Sequence, residues 1–138
     1  MAASHFRALL IASLIFSALG AVIDTVFPGL LPEPFSKALQ LQDEAIAGPW
    51  VYALLALALL LLAALVASVV GLYLFRPWSR PLAVGMTIVA VVLVPFFGAV
   101  AESGIASAAM ELSSLLWGAV LAVAYFSPLA ETFKRRDA

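Results

Sequence analysis

The chain has 138 residues, 65% of them hydrophobic and 11% charged, with a formal net charge of −1 and no cysteine. Soluble domains carry about 45–50% apolar and about 25% charged residues, and so short a chain folded in water exposes too much surface to hide this apolar excess. The composition points to lipid as the solvent, and it excludes disulfides, thiol redox chemistry, cysteine-ligated metal and an overall basic surface for nucleic acid.

A bilayer core about 30 Å thick takes about 20 apolar residues per helical crossing. Four stretches qualify: 8–27, 50–75, 81–100 and 105–126. All are too long and too uniformly apolar for the alternating strands of a barrel, so helices are expected. The expected fold is an all-α integral membrane protein, a single domain over 1–138 built as a bundle of four transmembrane helices.

The first stretch opens after Arg7 and contains "SALGA", a small-residue pattern resembling a signal-peptide cleavage site. Its apolar run continues past Gly20 to Phe27, which favours a retained helix over cleavage after Gly20. Ser13, Ser17, Ala21 and Asp24 recur at spacings of four, four and three, so they share one face. Small residues there let a neighbouring backbone approach, which makes this a packing face ending in an acid. Asp24 lies seventeen residues beyond Arg7, about 25 Å along a helix, near the far edge of the hydrocarbon.

The loop 28–49 opens with Pro28, Pro32 and Pro34 and closes with Gly48-Pro49. Between them Phe35, Ala38, Leu39, Leu41 and Ile46 form a rough apolar stripe, the pattern of a short amphipathic helix on the outer membrane surface. The second stretch follows and ends in "RPWSRP", 76–81, a short turn with prolines to stop helices and a tryptophan suited to the headgroup layer. In the third stretch Pro95 removes a backbone donor and predicts a kink, with Gly98 close behind.

Glu102 precedes Ser103-Gly104, a turn-like sequence, and is expected in the outer connection. Glu111 lies about 22 Å before Phe126 along a helix, which places it either inside the membrane or, with the helix one turn further out, at its edge. Ser107, Glu111, Ser114, Gly118 and Ala122 share one face of this fourth stretch. Gly118 between Ser114 and Ala122 reads as a second packing face, while Asp24, Glu102, Glu111 and Ser114 are candidates to attract a cation or line a pore.

Orientation follows from charge. Arg7, Arg76, Arg80, Lys134, Arg135 and Arg136 fall on one side, including the tail 127–138, and the other side holds six acids against Lys37. Basic residues accumulate on the cytoplasmic side, so both termini are expected there, in a bacterial inner membrane. No nucleophile motif, zinc motif or phosphate loop occurs, and the single histidine, His5, lies at the start of the chain. No cofactor, metal site or nucleic-acid partner is expected. Beyond the lipid bilayer, the partners expected are further copies of the chain or another membrane protein, and a cation.

Three functions remain open at this stage. The first is a homo-oligomeric channel or transporter subunit that passes an ion or small solute through an acidic outer mouth. The second is a non-catalytic accessory or assembly subunit of a larger membrane complex. The third is a membrane enzyme acting on a lipid or quinone.

Overall fold

In the computed structural model of the chain, residues 3–27, 30, 50–93 and 102–134 are described, with the side chains of 50, 51, 54 and 134 excepted. Among them the secondary structure is entirely helical. Helix α1 runs Ala3–Val26, α2 Trp50–Tyr73, α3 Ser79–Leu93, α4 Gly104–Phe126 and the short α5 Ala130–Lys134. Three of these are long and apolar enough to cross a membrane: α1, the Leu55–Tyr73 part of α2, and α4. Of the expected third crossing, 81–100, the described residues form α3, fifteen residues long, and 94–100 lie outside them; among the described residues there are three candidate crossings and one shorter apolar helix. The amphipathic helix of the 28–49 loop, together with Pro95 and Gly98, lies outside the described residues.

Helix α1 pairs most extensively with α4, and α2 pairs with α3. The α1–α4 seam has a sequence reason. Phe6, Leu10, Ser13, Ser17, Gly20 and Asp24 are buried or half-buried, alternately four and three residues apart. On α4 the row runs Ala106, Met110, Ser113, Trp117, Val120 and Ala124 with the same alternation. A repeat averaging 3.5 residues keeps one face of each helix on its partner along the whole length. The small residues bring the backbones close. A Cβ on Gly20 would stand 2.7 Å from Met110 Cγ and 3.2 Å from the Ala106 carbonyl oxygen.

This seam corrects the two packing faces expected from spacing. Ala21 is exposed and its neighbour Gly20 occupies the contact. On α4, Ser114, Gly118 and Ala122 are exposed, and a Cβ on Gly118 would meet nothing within 4 Å. The contact row on α4 is displaced by one residue, about 100° around the helix. On α1 three of the four expected residues, Ser13, Ser17 and Asp24, lie in the seam, and only on α4 does the row within this chain differ in phase.

The two pairs join at one end. Phe6, Phe75 and Phe133 form a triad with ring centroids 5.1–6.1 Å apart. Leu10, Leu72, Val120 and Ala124 pack around it as the main core. Phe133 arrives on α5, a helix within what composition suggested was only a tail. Phe75 arrives from the turn after α2. Arg76 N–H donates to the Gly71 carbonyl and Phe75 N–H to the Leu72 carbonyl, at 2.8 and 3.1 Å, which is the Schellman pattern of helix termination. Phe75 occupies its left-handed position at φ 55°, where glycine is usual. A non-glycine residue there costs about 1 kcal/mol, and here its ring completes the triad.

Two arginines seal this end. Arg7 Nε donates to the Tyr73 carbonyl at 3.4 Å, and its guanidinium lies 4.6 Å from the Tyr73 ring centroid. Arg80 Nη1 donates to the Ala124 carbonyl at 3.3 Å and lies 5.0 Å from the Phe133 ring centroid. Each guanidinium meets the negative, C-terminal end of another helix and an aromatic face, both favourable to a cation. The "RPWSRP" turn joins α2 to α3 here, with Trp78 half exposed and Pro81 inside the first turn of α3, where its missing N–H costs no bond.

Candidate functional site

At the opposite end from the arginines, Asp24 and the start of α4 come together. Ser103 N–H donates to Asp24 Oδ2 at 2.9 Å, while the Ser103 hydroxyl accepts from Ala106 N–H at 3.2 Å as the helix cap. Asp24 thus satisfies a backbone donor beside the positive end of the α4 dipole. Its other oxygen, Oδ1, is buried and has no partner among the described residues. Glu102 is exposed beside this junction. Replacing Asp24 by Leu is expected to leave the Ser103 N–H unpaired and lower stability by about 1–2 kcal/mol, whereas Asn keeps an acceptor and most of the stability. Thermal unfolding in detergent checks this; equal melting of the Leu and Asn variants would remove the tie.

Glu111 stands apart from both other acids. The Ser113 hydroxyl donates to the Ser13 carbonyl at 2.9 Å. The antiparallel register fixed by that bond and by the Asp24–Ser103 bond puts Glu111 level with Ile15. Ile15 is about 12 Å from the level of Arg7 and about 13 Å from that of Asp24. Glu111 is therefore level with the middle of α1, and the three acids do not gather at one mouth. Its side chain is exposed, on the row with Ser107 and Ser114, beside an open groove of about 490 Å³ that these residues line with Met110 and Leu115.

Between the two helix pairs, at the same depth, lies a cavity of about 420 Å³. Its polar lining comes from Ser13 and Ser17 on α1, Thr87 on α3, and Ser113, Ser114 and Trp117 on α4. Leu65, Val69, Met86 and Leu121 are among its apolar walls, and no charged residue among the described ones lines it. Ser114 lines both this cavity and the Glu111 groove. Three residues apart on one helix, Glu111 and Ser114 are surface neighbours.

Of the residues singled out from the sequence, Ser13, Ser17, Ser114 and Gly118 all line the cavity. Thr87, Ser113 and Trp117 were missed. Trp117 Nε1 donates to Thr87 Oγ1 at 2.9 Å, which crosslinks α3 and α4 at the cavity wall. The signal was present: Ser113, Trp117 and the small residues Ala106 and Ala124 belong to one heptad-like row. Among the described residues no three acids or histidines lie close enough to hold a metal ion.

No known protein family matches this sequence, and neither any curated protein nor any solved structure is significantly similar to it. The class that the fold defines is that of helical proteins with helices able to cross a membrane, with a hydroxyl-lined cavity halfway along them.

Proposed function

We propose that this protein is a subunit of a membrane channel or transporter that passes a cation through a bundle of four crossings, with both termini cytoplasmic in a bacterial inner membrane. One observation carries the reading: a carboxylate level with the middle of α1, next to a cavity that shares Ser114 with it. Ionisable side chains at such depth are expensive in lipid and mark ion or substrate pathways. The acidic mouth expected from the sequence is replaced in this reading by a single deep acid. A second copy covering the exposed α4 row would remove Glu111 from lipid, so a homo-oligomer is the form proposed to work.

The test is uptake of sodium and of ethylammonium into proteoliposomes. Glu111→Gln keeps the shape and removes the charge, and is expected to cut flux by about tenfold or more, while Glu33→Gln in the long loop leaves it near wild type. Wild-type protein that carries neither cation would overturn the reading.

The accessory reading has one observation in its favour, the same uncovered row of Ser107, Glu111, Ser114, Gly118 and Ala122. Small residues and one charged side chain suit a partner's transmembrane helix as well as a second copy. Purification in mild detergent separates the two: a single-species oligomer supports passage, and a stoichiometric foreign subunit supports the accessory role. The enzyme reading needed clustered acids, and Glu111 lies about 12 Å from the Ser103 level where the other two sit.

A further inference from the structure

We propose that the central cavity binds an apolar amine in its protonated form, an ammonium that still carries N–H donors. This rests on Glu111 being a deep membrane acid, and it adds the chemical class of the ligand.

The argument turns on where the hydroxyl protons go. Ser13 donates to the Leu10 carbonyl at 2.8 Å and Ser113 to the Ser13 carbonyl at 2.9 Å. Ser114 donates to the Met110 carbonyl at 2.9 Å, and Thr87 to the Ala83 carbonyl at 2.9 Å. A carbonyl oxygen only accepts, so each of these four hydroxyls has committed its single proton to the backbone. The indole N–H of Trp117 is committed as well, to Thr87. What these groups still offer the cavity is oxygen lone pairs. Among the described residues of the lining, only Ser17 keeps a hydroxyl free to turn either way. Glu111, adjoining through Ser114, is a further acceptor when ionised.

A lining of acceptors selects a ligand of donors. Anions and carbonyl compounds would face lone pairs with lone pairs. A bare alkali ion needs a shell of convergent oxygens, and here the hydroxyls are spread over three helices between apolar walls. An ammonium with a hydrocarbon body fits both parts: two or three N–H groups for hydroxyl oxygens and Glu111, and an apolar remainder against Leu65, Val69, Met86 and Leu121. The volume of about 420 Å³ falls in the range of small-molecule pockets.

The experiment measures binding to the full chain in lipid nanodiscs by ligand-observed NMR, with three probes that share a phenylethyl group. These are 2-phenylethylammonium, its bulkier N,N,N-trimethyl analogue and 3-phenylpropanoate, with uncharged 3,3-dimethylbutylbenzene, the outline of the trimethyl analogue without charge, as the control for bulk. The ammonium is expected to bind, the trimethyl analogue at least about tenfold more weakly for want of N–H donors, and the carboxylate not at all. Glu111→Gln is expected to weaken ammonium binding about tenfold. Gly118→Leu serves as the second variant: Gly118 is one of the cavity's lining residues and a Cβ there meets nothing within 4 Å, so a leucine is expected to narrow the cavity and weaken binding about tenfold. It should do so without loosening the α1–α4 seam, since a Cβ on Gly118 meets nothing of α1 within 4 Å. Equal binding of the ammonium and trimethyl probes overturns the proposal, as does ammonium binding unaffected by both variants. Absence of binding overturns it too, and sodium flux in the proteoliposome assay would then leave the passage reading standing. Binding without flux of either cation supports the site and removes passage.

Discussion

Gly20→Leu is expected to separate α1 from α4 and to cost about 3 kcal/mol or more of stability. The reason is the closeness of the backbones. The first added carbon meets Met110, whose flexible side chain can swing away, but it also lies 3.2 Å from the Ala106 carbonyl oxygen, which belongs to a helix and cannot. Gly20→Ala should therefore be tolerated with a small loss, and the larger side chain should not. Ala21→Leu, one residue on, points outward and should melt with wild type. Thermal unfolding in detergent followed by circular dichroism separates these cases. If Gly20→Leu and Ala21→Leu unfold together, α1 and α4 do not meet through this row.

Phe133→Ala is expected to cost about 2–4 kcal/mol, because it empties the centre of the aromatic triad where both helix pairs meet. The ring is completely buried, and it carries edge contacts to Phe6 and Phe75 and the face under Arg80. Phe75 allows a sharper comparison. Phe75→Ala loses the ring and keeps the left-handed backbone cost, while Phe75→Gly loses the ring and relieves that cost. The glycine variant should be the more stable of the two by about 1 kcal/mol. An alanine variant as stable as the glycine variant would mean that Phe75 is not held in that conformation.

The membrane class and most helix limits were legible because apolar length is a one-dimensional signal. The stretch 105–126 became α4, Gly104–Phe126, and 8–27 became α1, which starts earlier, at Ala3. Helix phase was less legible. Rows such as Ser107–Glu111–Ser114 and Ala106–Met110–Ser113 are both rich in small residues, and in lipid no hydrophobic contrast marks which one packs. The choice is made by the partner, through Gly20 and the Ser13 carbonyl. The depth of Glu111 was open for the same reason, since position along one helix says nothing of register against another. A single cross-helix hydrogen bond, Ser113 to Ser13, settles that register. The α5 contribution was hidden because one buried phenylalanine in a five-residue helix leaves almost no periodicity to read.

The aromatic triad also dictates an order of events during biosynthesis. Phe6 precedes the other two rings in the chain, and its partner Phe133 is made only after α1 to α4. Until Phe133 is made, this end of the bundle lacks its third ring. Closure of the triad therefore cannot precede the synthesis of Phe133. A chain halted after α4 would keep the residues of the α1–α4 seam but lack the clasp between the two helix pairs.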